Sequence, residues 1–431
     1  MGKKVNVGLL GFGVVGSGVK QIIDNNQEKL QHQLDCEINV SHILVRNLEK
    51  YENMVGQSTV LTTNPNDVIN NDTIDVIVEV VGGVEQAREY ILQALQAGKH
   101  VVTANKDLIA LHGTELHRIA KENNCDLFYE ASVGGGIPLL RSISDGLAAD
   151  RIHKIIGIVN GTTNYILTKM NDESWTYTDA LQKAQELGFA EADPTADVEG
   201  LDAARKMVIL ARLAFLMDVE LDDVTVSGIS GLPLEDLTYG QQLGYTMKLI
   251  GTATKNKDAV EVSVQPTFLC NEHPLASVKN EYNAVYVSGE FVGETMFYGP
   301  GAGSLPTATA VMSDIVAVIK NKHLNVNGKQ YIEPLYDKKL LDKEDTISQF
   351  YVRIHAKDET GAFANISQLF KQLNISFERI IQKPSKETKV AEIVIITHKT
   401  SLANFNKALE KLNESDVVKN VASYYRVEGD A

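Results

Sequence analysis

Along the first third of the chain, short β-branched runs alternate with stretches whose apolar residues recur every three or four positions. The runs are VNVGLLG (5–11), EINVSHILV (37–45), IDVIVEVV (74–81), HVVTA (100–104) and DLFYEA (126–131). Between them lie segments such as EQAREYILQALQAG and LIALHGTELHRIAKEN, the first stopped by Gly98. Strands that alternate with helices of this length predict βαβ units on a parallel sheet, with right-handed crossovers. Residues 1–145 therefore read as an open α/β domain.

The pattern changes after about residue 146. KIIGIVNGTTNYIL leads into a helical stretch, TDALQKAQELGF, and a further helix is predicted from about 200 to 217. AVEVSVQPTFL and NAVYVSGEF then read as strands, so 146–304 is expected to be an α+β domain with a mostly antiparallel sheet. LPTATAVMSDIVAVIKNK places Pro306 near a helix start and carries an apolar stripe. This helix, about 305–322, is expected to return to the first domain. The polar stretch 324–348 reads as a linker. Over 349–431, FYVRIHA, ANISQLFKQLN, SFERIIQK, VAEIVIITH, SLANFNKALEKL and VASYYRV follow the βαββαβ order of a ferredoxin-like module. A chain shortened near Lys343 is expected to leave the preceding domains working.

Composition narrows the class. Hydrophobic residues at 44% and charged residues at 23% are ordinary for a globular protein with real cores. A net charge of −15 argues against a general nucleic-acid binder. No run approaches the roughly 18 apolar residues of a membrane span. Lys3 and Lys4 before VNVGLLGFGVVGSGV imitate a secretion signal, but four glycines from Gly11 to Gly18 fit a strand entering a glycine-rich turn far better. Cys36, Cys125 and Cys270 lie far apart with no CxxC, the pattern of a reduced, cytoplasmic protein.

Several clusters can carry chemistry. Gly11-Phe12-Gly13-Val14-Val15-Gly16 fits G-x-G-x-x-G between a strand and a helix, which predicts a Rossmann-type dinucleotide site. The second strand ends in Arg46-Asn47, where an NAD binder carries an acid for the ribose. A guanidinium there can fork onto a 2′-phosphate, so NADP(H) is expected over NAD(H). The fourth run ends in Thr103-Ala104-Asn105-Lys106, which puts Lys106 near the cofactor crevice unless it is a surface lysine at a helix start. In 130–138, EASVGGGIP, a carboxylate precedes consecutive glycine carbonyls. On the residues alone this is an interdomain hinge, with a hard-cation site as the alternative. Asp202 and Lys206 are four apart on a helix, hence on one face. They form either a surface ion pair or, because the segment after Lys206 is almost wholly apolar, a partly buried proton carrier and its partner.

Together these blocks resemble homoserine dehydrogenases. GFGVVGSGV, VTANKDLIA, EASVGGGIP, IVNGTTNYIL, GFAEADPTADVEGLDAARK and GPGAGSLPTATAV stand in that family's order and spacing over about residues 4–322, and the tail is similar to an ACT domain. The resemblance implies NAD(P)-dependent interconversion of L-homoserine and L-aspartate 4-semialdehyde, on the route to threonine and methionine. It implies Lys206 as proton donor and acceptor, Lys106 as a second active-site lysine, and Glu191 and Asp202 as substrate-binding carboxylates. It further implies a monovalent cation, usually sodium, at Glu130 with the carbonyls of Val133, Gly135 and Ile137. Gly188, Gly303 and Ser304 match positions that close over the cofactor. The implied partners are an amino-acid effector at the tail, threonine by pathway logic, and a second copy in a homodimer or homotetramer. The effector loop departs from the usual pattern, with Thr360 where many ACT domains carry proline. A competing reading, a non-catalytic sensor of cofactor and amino acid, requires a lost active site, whereas both lysines and both carboxylates are present.

Overall fold

The computed structural model describes residues 3–329, 333–384 and 390–429. From the N-terminus run β1 (Lys3–Leu10), α1 (Val14–Asn25), α2 (Gln27–Leu34), β2 (Cys36–Leu44), β3 (Val60–Thr62), α3 (Asn66–Ile69), β4 (Val76–Glu79), α4 (Glu85–Gln96), β5 (His100–Thr103), α5 (Lys106–Glu122) and β6 (Leu127–Phe128). The strands form one sheet in the order β3-β2-β1-β4-β5-β6, and every pair in it is parallel. The order reverses between β1 and β4, which in an open α/β sheet opens a ligand crevice at the carboxyl ends of the strands. All four residues of β4 are buried, as expected for a strand covered on both faces.

Farther along come β7 (Ile152–Ile158), α6 (Gly161–Glu173), α7 (Tyr177–Glu186), α8 (Thr195–Val198), α9 (Leu201–Phe215), β8 (Val224–Val226) and α10 (Leu234–Gln242). β9 (Tyr245–Asn256), β10 (Ala259–Cys270), β11 (Tyr282–Gly289), β12 (Gly293–Pro300) and α11 (Ser304–Leu324) follow. The tail comprises β13 (Ile347–Lys357), α12 (Ala362–Gln372), β14 (Phe377–Pro384), β15 (Val390–Thr397), β16 (Thr400–Ser401), α13 (Leu402–Asn413) and β17 (Val418–Glu428). The chain divides into two compact units. The first holds 1–152, 205–222 and 289–338, and the second holds 153–204, 223–288 and 339–431.

In the first unit, α11 packs on the parallel sheet. Ala308, Val311, Ile315 and Val318 share one core with Val7, Leu9, Ile38 and Val76. α1 and α11 approach so closely that a Cβ at Gly18 would meet the Ser304 carbonyl oxygen at 2.9 Å. That contact explains the small residues on both helices.

The second unit is built on a long, mostly antiparallel sheet, ordered β11-β7-β9-β10-β17-β13-β15-β14. The tail has the strand and helix order read from its pattern, yet it does not hang on a tether. β17 pairs with β10 in parallel, Thr267 to Arg426 through Leu269 to Glu428, so tail strands and the preceding strands are one sheet. Side chains reinforce the joint. Asp236, fully buried on α10, accepts hydrogen bonds from Tyr351 Oη (2.9 Å), Ser423 Oγ (2.7 Å) and Tyr425 Oη (3.1 Å) and pairs with Arg353 Nε at 2.5 Å. The expectation that a chain shortened near Lys343 keeps its preceding domains working therefore changes: sheet pairing across about 160 residues of sequence, from Thr267 to Arg426, leaves no trace in local periodicity.

Candidate active site

The glycine motif forms the turn between β1 and α1, and its three glycines do different things. Gly11 has φ +106°, and a Cβ there would lie 2.7 Å from the Val80 carbonyl oxygen. A Cβ on Gly16 would come within 2.4 Å of the Gly11 carbonyl oxygen. Gly13 faces open space, with nothing within 4 Å of an added Cβ. The first glycine makes the turn, the third lets the helix close on it, and the second leaves the backbone approachable. No side chain caps α1 at Gly13 and no acid stands in its first turn, so its terminal amides suit an anion.

Neighbouring residues complete the turn. Phe12 is buried edge-on against Tyr51 at 5.5 Å, and Val15 rests on the core. The Val14 carbonyl accepts a 2.6 Å hydrogen bond from Ser304 Oγ, and Gly303 before it has φ +125°. Residues 303–304 thus stand at the glycine turn. The Gly11 N–H donates to Leu44 O at 3.1 Å, which puts the end of β2 alongside. Arg46, two residues beyond, is exposed.

The next strand ends are tied by a buried network. Thr103 Oγ1 donates to the Glu79 carboxylate (2.6 Å), the Val81 N–H donates to the same group (2.9 Å), and the Asn105 N–H donates to Thr103 Oγ1 (3.0 Å). Burial raises the Glu79 carboxyl above its usual range, against these hydrogen bonds. Asn105 caps α5 by accepting from the Leu108 N–H (3.1 Å) and donates from its amide to Gly83 O (2.6 Å). Lys106 is therefore the first residue of a capped helix, part-exposed, with the Asp107 carboxylate 4.0 Å away. Asp107 pairs in turn with Arg205 at 2.8 Å. Lys206 follows Arg205 on α9 and is half-buried, and residues 207–211 beyond it are all buried.

Glu130 is buried, and its carboxylate accepts the backbone N–H groups of Leu140 (2.8 Å) and Arg141 (2.9 Å). Its own N–H donates to Asp314 at 2.8 Å. Burial pushes Asp314 up to about 8, against its ion pair with Arg141. The glycines that follow are seated on the strand-to-helix loop at 300–302: the Gly136 N–H donates to Pro300 O at 3.0 Å, and a Cβ on Gly135 would lie 2.4 Å from Gly301 O.

In the second unit, Asn160 caps α6 by accepting from the Thr163 N–H at 2.8 Å. Its amide donates to Asp197 (2.7 Å) and to Asp202 (2.9 Å), so Asp202, 7% exposed, is held by an oriented dipole. Glu191 is exposed, and its carboxylate has no partner among the described residues. Gly188, at φ +76°, closes α7 by donating its N–H to Gln185 O at 3.0 Å. Glu79, Asn105, Asp107, Asn160 and Arg205 were not singled out from the sequence. Asn105 and Asn160 carry the signal of a helix N-cap, and Glu79 that of an acid ending an apolar strand.

Comparison with known proteins converges on one family. A homoserine dehydrogenase NAD-binding-domain model matches residues 11–130, a homoserine dehydrogenase model matches 138–316, and an ACT-domain model matches 350–416. Homoserine dehydrogenase of Bacillus subtilis is 56% identical over 429 residues, covering 99% of both chains, and that of Lactococcus lactis is 40% identical over 430 residues, covering 99% of this chain and 100% of the relative. The crystal structure of a homoserine dehydrogenase from Thiobacillus denitrificans superposes with a TM-score of 0.92 at 38% identity, covering 99% of this chain and 98% of that one. A hyperthermophilic archaeal homoserine dehydrogenase in complex with NADPH superposes with a TM-score of 0.63 at 29% identity, over 74% of this chain and 98% of that one. The glycine turn, the lysine-bearing helices and the sheet-bound tail thus have one common explanation: the chain belongs to the homoserine dehydrogenase family.

Proposed function

We propose a division of labour among the residues for the reaction this chain carries out, the nicotinamide-dependent interconversion of L-homoserine and L-aspartate 4-semialdehyde. Lys206 takes the hydroxyl proton in oxidation and returns it in reduction. Lys106 acts beside it at the nicotinamide and substrate. Asp202 and Glu191 hold the substrate ammonium. Gly11, Phe12, Gly13, Val14, Val15, Gly16 and Thr103 form the cofactor floor, with Gly188, Gly303 and Ser304 closing over it. When bound, the nicotinamide exchanges a hydride with substrate C4; the chain supplies orientation and the proton. The observation that carries this reading is the 2.8 Å Asp107–Arg205 pair, which joins the backbone next to Lys106 to the backbone next to Lys206. Reduced-nicotinamide absorbance followed with either substrate tests it. Silence with both substrates and both dinucleotides would favour the sensor.

NADP(H) is the preferred dinucleotide in this reading, supported by exposed Arg46 beyond β2 and by the absence of an acid at that strand end. Arg46→Ala is expected to raise the KM for NADP roughly 10- to 100-fold, the worth of a charge-assisted hydrogen bond, with little change for NAD. Equal effects on both dinucleotides would remove Arg46 from the role.

Sodium is proposed at Glu130, Val133, Gly135 and Ile137, and the backbone fits it. Val133, Gly135 and Ile137 are buried, and among the described residues their carbonyls accept no loop or turn backbone hydrogen bond. Buried carbonyls without donors suit a hard cation, which would brace the segment. The Glu130 carboxylate is already occupied by two amides, so its contribution is charge and local order. The proposed divisions are 1–145 completed by about 305–322 for the dinucleotide, 146–304 for catalysis and oligomerisation, and 349–431 after the 324–348 stretch for an amino-acid effector, threonine. A homodimer or homotetramer in the cytoplasm completes the reading. Cys36, Cys125 and Cys270 are buried thiols, and no described helix is long and apolar enough to cross a membrane.

A further inference from the structure

α5 and the stretch from Arg205 to Asp218, the first-unit part of α9 and the residues just after it, are fastened at three levels, in the same order along both. Asp107 pairs with Arg205 at 2.8 Å, Arg212 Nη1 donates to Ile109 O at 3.2 Å, and Thr114 Oγ1 donates to Asp218 Oδ1 at 3.0 Å. Arg212 joins the upper two levels, since its Nε lies 3.3 Å from Asp218 Oδ1 and donates to Val219 O at 2.7 Å. The first level differs. It lies in the opening turn of α5, and each partner is the immediate chain neighbour of one active-site lysine.

Charge explains why this level needs a pair. Lys106, Arg205 and Lys206 bring three cations to one end of two helices, and the N-terminus of α5 disfavours positive charge. Asp107 is the acid in that first turn, lying 4.0 Å from Lys106 Nζ and 2.8 Å from Arg205 Nε. Without it, the repulsion would be relieved by swinging the Lys106 end of α5 away from α9. The atoms that meet are withdrawn from solvent: Asp107 Oδ1 and Arg205 Nε are buried although their side chains are partly exposed, and they meet as an ion pair outside hydrogen-bonding geometry. Water therefore screens this contact less than a surface pair.

The geometry points to Asp107 and Arg205 as positioning residues: their ion pair sets the spacing between the two lysines, and with it the reach of the proton carrier to the substrate oxygen. This inference rests on the lysine roles proposed above. It concerns residues that need touch neither substrate nor cofactor.

A double-mutant cycle in the full-length enzyme tests it, using Asp107→Asn, Arg205→Gln and the double variant, with Arg205→Lys as the conservative replacement. Each single neutralisation is expected to lower kcat roughly 10- to 100-fold, the scale of a misplaced reacting group, while the KM for dinucleotide stays within about twofold. The double variant is expected to lose no more than the worse single, because the broken contact is the same. Arg205→Lys is expected to recover much of the loss. The solvent deuterium isotope effect on kcat should rise in the singles as proton transfer becomes slower, which a loss of stability alone would not produce. Unchanged kcat in the singles, or losses that multiply in the double, would overturn the inference. Lys106→Ala and Lys206→Ala in the same assay separate the layers. If both keep normal turnover, the lysine roles fail; if both are crippled while Asp107→Asn is normal, only the positioning pair fails.

Discussion

Replacing Lys206 by alanine is expected to lower turnover on the order of 10²–10⁴-fold, the usual worth of a positioned acid or base, while leaving dinucleotide affinity nearly unchanged. Lys206 is half-buried at the start of a run in which Met207, Val208, Ile209, Leu210 and Ala211 are all buried. The helix that carries it is therefore fixed by packing, and its neighbour Arg205 is fixed by the pair with Asp107. A side chain on so rigid a support loses little order when it reaches for a proton. The glycine turn that suits the dinucleotide belongs to β1 and α1, so affinity for the cofactor alone should survive the substitution. Arginine at this position keeps the charge but cannot release a proton near neutrality, and Lys206→Arg should not rescue oxidation. If Lys206 only steadies its helix, Lys206→Ala would lower the melting temperature and the folded fraction would turn over normally. Turnover and melting measured on the same preparation decide between the two.

The readable features of this chain are those whose cause is local. Alternating β-branched runs and helical periodicity place β1, β2, β4, β5 and the helices α4 and α5 within a few residues, because each pattern reports its own burial. The glycine motif was legible for the same reason: the backbone demands at Gly11 and Gly16 are met within the turn and the adjoining strand end. β3 and α3, at three and four residues, are too short to show a period and depend on their neighbours. Lys106 and Lys206 stand out in the sequence through motif spacing, but the ion pair between their chain neighbours does not. Asp107 and Arg205 lie almost a hundred residues apart, and each alone reads as a solvated charge. Asp236 carries the same lesson in the second unit. In sequence it is an acid in the first turn of a helix, where acids are common, yet it sits fully buried under four donors from β13 and β17.

Cutting the chain near Lys343 is expected to give a protein that does not reach the native state, rather than a deregulated enzyme. β17 lies between β10 and β13 in the sheet and pairs with the end of β10 from Thr267 to Leu269, while β8 covers Val262 to Val264 on the same side, so removing the tail leaves the end of β10 as an unpaired edge. It also uncovers Phe268, now fully buried against Tyr351 (ring centroids 4.7 Å apart) and Tyr425 (5.8 Å). Lys154 would lose Glu428 at 2.8 Å, and Glu261 would lose Arg426 at 2.6 Å. Those two pairs are small contributions; the bare edge and the aromatic face are what should drive aggregation. A milder form of the same test keeps the full chain. Asp236→Ala leaves Arg353, its side chain 8% exposed, with Glu392 at 2.9 Å as its one remaining acid among the described residues, and strands the hydroxyls of Tyr351, Ser423 and Tyr425. Breaking one partner of such a buried pair costs about 3–5 kcal/mol, so the melting temperature should fall by at least several degrees. Sedimentation and far-ultraviolet circular dichroism of the shortened chain, beside melting of Asp236→Ala, read both effects. A soluble, monodisperse truncation with native turnover would show that the sheet joint is dispensable. An Asp236→Ala protein that melts with the parent would show that the buried cluster contributes nothing to holding the tail.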